Sequence, residues 1–224
     1  MIDNKSTKKK ILNAALDLFS TQGFEATSVS QLADAVGIRK ASMYSHFESK
    51  QDILNALMQN ISEQYEKNSI FSETNRDKAS FSENGKAFNV DTVTKMIAGH
   101  IRYILHDPQI SKARKMLTIE QFRNPILSKM QTRRNYTNVM NFFTDVINCL
   151  IQQKKLSGDD AEIMAAQLCL PVSVWLNLCD REPEREDEII NLIERHVRLF
   201  FSLYRKDSAE NRPPEAAADK KPQA

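Results

Sequence analysis

No proline occurs before Pro108, so the first half of the chain lacks the residue that most reliably interrupts a helix. Average usage of about 7% would give roughly 16 glycines at this length, against the 5 present, alongside 7 prolines, in 224 residues. A chain this short of turn formers cannot supply the tight connections of a β-sandwich or barrel, and an all-α fold is predicted.

The apolar spacing divides that helical chain into about nine segments. Ile11, Leu12, Ala15, Leu18 and Phe19 form one stripe on a first helix that ends near Gly23. Ser28-Val29-Ser30-Gln31 has the form of a capping box, opening a second helix through Leu32, Ala33 and Val36 that stops at Gly37. The segment KASMYSHF then supplies about two further helical turns. Two short helices joined by a turn of three or four residues containing glycine are the pattern of a helix-turn-helix. Ala33, Ile38, Met43 and Phe47 are spaced to meet in one small core, which leaves Lys40, Ala41, Ser42, Tyr44, Ser45 and His46 with faces available to a ligand.

A fourth helix runs over about 49–67, long enough to join two bodies. Residues 68–89 lose the periodicity around Gly85 and read as a loop at a domain junction. Helical spacing returns over 90–106, from Pro108 to about Phe122, and from Pro125 to about Lys155. It appears again from Asp159 to about Cys179, with Pro171 predicting a kink, and from Glu186 to Tyr204. These boundaries give a DNA-binding domain at 1–48, a helical domain at 68–206 and a disordered tail at 207–224.

Charge narrows the partner little, because 31 Lys plus Arg nearly balance 29 Asp plus Glu. A basic face can still exist on such a surface. Cys149, Cys169 and Cys179 are odd in number and lack C-x-x-C spacing, so reduced thiols in a cytoplasmic protein are expected. His100 and His106 lie six apart, which is not a metal-binding helix spacing, and neither metal nor cofactor is expected. The uncharged stretch from Ile163 to Cys179 is short for a bilayer span and better suits a buried or interface helix.

The run TKKKILNAALDLFSTQGFEATSVSQLADAVGIRKASMYSHFESKQDIL resembles the N-terminal domain of tetracycline-repressor-type (TetR family) transcriptional regulators. The resemblance lies in F-x-x-x-G-F, the T-S-V capping region, L-A-x-A-V-G, A-S-M-Y-S-H-F and Lys50 three residues after Phe47. It covers roughly the first quarter of the chain; farther on, only the length and order of the helices match. The resemblance implies phosphate contacts from Tyr44, Lys50 and Ser28, and base contacts from among Lys40, Ala41, Ser42, Ser45 and His46. Arg39 stands where the family commonly has Ser or Thr; it caps poorly, but its charged fork reaches a phosphate or a guanine. Lys8, Lys9 and Lys10 read as a solvated helix end.

A homodimeric, non-enzymatic repressor is therefore expected, binding a palindromic double-stranded operator and released by a small-molecule effector. Met116, Phe122, Met140, Phe143 and Trp175 are the expected pocket residues. Val172, Ile189, Ile193, Val197 and Phe200 are the expected dimer interface. The alternatives are an all-helical enzyme or small-molecule-binding protein, for which no converging catalytic motif is present, and a regulator controlled by a protein partner. An apolar cavity among the fifth, seventh and eighth helices separates the first reading from the last.

Overall fold

The computed structural model describes residues 4–72 and 89–206. Most of the expected junction loop, Gly85 included, and the expected tail at 207–224 lie outside the described residues. Helices α1 (Asn4–Gln22), α2 (Val29–Val36), α3 (Lys40–Met43) and α4 (Lys50–Asn68) come first. They are followed by α5 (Val90–His106), α6 (Pro108–Glu120), α7 (Pro125–Thr132), α8 (Asn138–Gln152), α9 (Ala161–Arg181) and α10 (Glu186–Leu203). A π-helical turn at Arg133–Thr137 joins α7 to α8. Counting that rod once gives nine helices among the described residues, and no strand; the one β-bridge pairs Leu156 with Arg205.

Local chemistry accounts for the helix starts. Ser28 Oγ accepts from the Gln31 N–H at 3.2 Å, while Gln31 Oε1 accepts from the Ser28 N–H at 2.8 Å, completing the capping box. Asp107 and Asn124 cap α6 and α7, each followed by proline at the first helical position, where no N–H is needed. Asp160 caps α9 by accepting from the Ile163 N–H at 3.0 Å. Gly37 ends α2 at φ 75°, a left-handed conformation that brings the Ile38 N–H to the Ala33 carbonyl at 3.0 Å.

Two hydrophobic cores form, and they do not divide at residue 68. The first joins α1–α4 to Ile110, Ala113, Met116 and Leu117 of α6 and to Leu127 of α7. The second gathers α5, α8, α9 and α10. Helix α6 packs on α1, so its inner face belongs to the N-terminal core although it follows the junction in sequence. Helix α9 runs through Pro171 and, among the described residues, is the helix long and apolar enough to cross a membrane. Met164, Ala165 and Leu168 nonetheless bury one of its faces against the second core.

Candidate nucleic-acid interface and inner cavity

The recognition segment is oriented by what it buries. Met43 and Phe47 insert into the first core beside Leu32 and Ala33, with Ile38 at its edge, as the spacing predicts. Lys40, Ala41, Ser42, Tyr44 and Ser45 are consequently exposed, as are Ser28 and Arg39. The α-helix proper is one turn long, Lys40–Met43. It continues as a tighter turn in which the His46 N–H reaches the Met43 carbonyl at 3.0 Å. Ser45 Oγ donates to the Ser42 carbonyl at 2.7 Å, and Arg39 makes no capping bond, so its guanidinium is not held to the helix end. Lys8 lies 5.3 Å from the centre of the Phe47 ring, which puts one lysine of α1 beside the same segment. His46 is only half exposed, and its buried Nδ1 has no partner.

Lys50 is held from within the chain. Its ammonium donates to the Phe24 carbonyl at 2.7 Å and the Glu25 carbonyl at 3.4 Å, and sits 4.3 Å from the centre of the Phe24 ring. The flexible stem folds the charge back onto the α1–α2 turn, so Lys50 fastens α4 to that turn instead of standing free on the surface.

That turn is also held by α6. Glu120, 1% exposed, accepts the Phe24 N–H through Oε1 at 2.8 Å. Gly23 has φ 90°, and a Cβ there would stand 2.9 Å from the same oxygen, so both backbone conformation and space require glycine. Six residues earlier on α6, Arg114 forms a two-pronged ion pair with Asp180 at the end of α9; the Nη2–Oδ1 distance is 2.6 Å.

Arg114 also lines a cavity of about 130 Å³ enclosed by α4–α9. The walls are largely branched aliphatic, from Ile97 and Ile101 of α5 to Val139 of α8 and Leu168 of α9. Phe71 closes part of it, packing edge-on against His100 and Phe142. Polar groups come from His100, Arg114, Gln131, Arg134, Asn135, Ser173 and Asn177. Burial holds the His100 imidazole down to about 4, so it is neutral at neutral pH. Burial pushes the Cys169 thiol up, away from reactive thiolate.

Of the five expected pocket residues, only Phe143 lines this cavity. Met116 points into the first core and Met140 into the second, Trp175 packs edge-on against His196, and Phe122 is 90% exposed in the turn after α6. Val172, expected at the dimer interface, is a cavity residue instead. Ile189, Ile193, Val197 and Phe200 are buried in the chain's own second core, because α10 turns its broader apolar face onto α5 and α9. The apolar side chains left outside are Ile163, Leu170 and Val174 of α9 and Leu199 and Leu203 of α10. Pro171 lies among the cavity residues of α9, whereas Gly99 on α5 has open space where a Cβ would stand.

Sequence and fold comparisons agree with this layout. Residues 11–57 match the family model for bacterial regulatory proteins of the tetR family. The biofilm operon icaADBC HTH-type negative transcriptional regulator IcaR of Staphylococcus aureus is 46% identical over 46 residues, 20% of this chain. The chain spans about a quarter of the length of the curated relatives it matches. MexZ, a repressor responsible for antibiotic resistance in Pseudomonas aeruginosa, superposes with TM-score 0.65 at 20% identity, over 92% of this chain and 97% of its own. SmeT, the repressor of the Stenotrophomonas maltophilia multidrug efflux pump SmeDEF, gives TM-score 0.62 at 17% identity, over 98% and 100%. Residues 11–57 therefore match the tetR family of bacterial regulatory proteins in their helix-turn-helix, and the chain as a whole shares the fold of MexZ and SmeT.

Proposed function

We propose that the chain is a homodimeric DNA-binding repressor of the cytoplasm that reads a palindromic operator and is released when a small molecule fills the inner cavity. The observation that carries this reading is the double membership of α6. Its apolar face is part of the core beneath the recognition segment, its Arg114 lines the cavity, and its Glu120 holds the Phe24 amide. A ligand that shifts α6 by a fraction of a turn changes the setting of the DNA-binding head, and a coupling of about 1–3 kcal/mol suffices. SmeT, which shares this fold, is also known in a complex with triclosan, which supports a small-molecule ligand for this chain. The cavity favours this mechanism over control by a protein partner.

In this proposal Lys40, Ala41 and Ser42 meet base edges in the major groove, while Tyr44, Ser28 and Arg39 contact phosphates. Two heads related by a two-fold axis enter successive grooves. The axis passes through the outer faces of α9 and α10, where Ile163, Leu170, Val174, Leu199 and Leu203 are exposed on adjacent helices.

Tyr44→Phe is the direct test of the head. Tyr44 is 49% exposed, so loss of its hydroxyl leaves the melting temperature unchanged. Binding to operator and to random duplex weakens alike, by about tenfold for each head, the worth of one hydrogen bond to a charged acceptor. Lys50→Ala instead lowers the melting temperature along with affinity. Fluorescence anisotropy across a salt titration reads both, and an unaltered Tyr44→Phe affinity removes Tyr44 from the interface.

A further inference from the structure

We infer that the cavity takes a mostly apolar molecule bearing one carboxylate, and that Arg134 is the residue that meets the anion. This rests on the cavity being the effector site and names the chemistry of the effector.

The charge balance of the lining carries the inference. Among the described residues, the lining contains two arginines and neither aspartate nor glutamate. Arg114 is already matched, both of its terminal nitrogens being engaged by Asp180. Arg134 is not matched in that way. Its Nη2 donates to the Ile61 carbonyl at 3.1 Å, its guanidinium lies 4.6 Å from the centre of the Tyr65 ring, and the charge of Glu66 also acts on it. Burial lowers its proton affinity, yet a guanidinium keeps its proton in a protein, so a positive charge is held in a partly desolvated wall of the cavity. The neutral His100 adds no second positive charge.

Backbone geometry points the same way. Arg134 and Asn135 belong to the π-helical turn, and both line the cavity. Such turns interrupt the regular helical spacing and are frequent at functional sites. One turn earlier, Gln131 carries a buried Oε1 with no partner among the described residues, a second polar point suited to a ligand N–H or O–H. Ile97, Ile101 and Leu168 supply the apolar wall for the body of the molecule. A guanidinium fork presented beside an apolar chamber is matched by a carboxylate on an apolar body.

The test is isothermal titration of the full chain with three probes of one shape: 2-naphthoate, 2-naphthalenemethanol and 2-naphthylmethylamine. The acid is expected to bind at least about tenfold more tightly than the alcohol, as for a charge pair formed away from water. Arg134→Gln should erase that margin and leave the alcohol unchanged, and Arg134→Lys should retain part of it. An amine or alcohol that binds as tightly as the acid overturns the inference, as does an acid preference that persists in Arg134→Gln. If the alcohol binds equally well and still releases DNA, the effector reading stands and the anion assignment falls. If none of the three binds, both fall.

Discussion

Val174→Glu is expected to convert the protein to a folded monomer whose operator affinity is lower by about a hundredfold or more, the loss that follows when two linked half-site contacts become independent. Val174 is 62% exposed and shares the outer face of α9 with Ile163 and Leu170, beside Leu199 and Leu203 of α10, which are 57% and 69% exposed. Five large apolar side chains on two adjacent helices make a patch that a soluble chain covers. In the proposed dimer a two-fold axis covers it with its own copy, building a four-helix interface from identical surfaces. A glutamate at that position is desolvated in the proposed interface, a costly place for an unpaired charge. The patch lies outside both cores, so folding is retained. Ile193→Glu offers the contrast: Ile193 is 1% exposed inside the second core, and that substitution unfolds the chain. Sedimentation velocity with a melting curve separates the two outcomes, and a Val174→Glu dimer would move the interface elsewhere.

Asp180→Ala is expected to destabilise the protein by about 3–5 kcal/mol, the cost of leaving one partner of a buried ion pair uncompensated. Arg114 is 9% exposed, both of its terminal nitrogens go to Asp180, and its Nε is buried without a partner. Removing the carboxylate leaves the guanidinium beside an apolar cavity without its paired anion. At this chain length the melting temperature should fall by about 10 °C. Replacing both residues, Arg114→Leu with Asp180→Leu, should recover most of that loss, because the desolvation cost of both charges disappears together. The recovered protein should nonetheless respond poorly to effector, since this pair ties α6 to α9. Denaturant unfolding of the single and double variants checks the first claim; a loss under about 1 kcal/mol in Asp180→Ala contradicts it.

Features governed by neighbouring residues were readable in the chain itself. Ser28 with Gln31, Gly37, Pro108 and Pro125 act within a turn of their own position, and the structure puts caps and helix boundaries where they predict. The exposure of Lys40, Ser42 and Tyr44 was readable for the same reason, since burying Met43 and Phe47 leaves them outside. Packing across several helices was not. Helix α10 carries apolar residues on two faces, and nothing local says that Ile193 and Val197 turn inward while Leu199 and Leu203 stay out. The cavity is assembled from several helices, so Arg134 and Gln131 gave no sign of sharing a wall with His100. Phe122 looked like a pocket aromatic, but α6 ends two residues before it. Lys50 had the right position for a phosphate contact, and only the folded α1–α2 turn reveals the carbonyls that hold it.

The most direct measurement of the central claim is selection of genomic DNA fragments by the purified full-length protein, followed by footprinting of those enriched. Repression through a symmetric dimer predicts fragments that share an inverted repeat, with half-sites about one helical turn or a multiple of it apart. Protection should fall on both halves at one protein concentration. Fragments retained without a shared symmetric sequence, and with affinity indifferent to sequence, would contradict it.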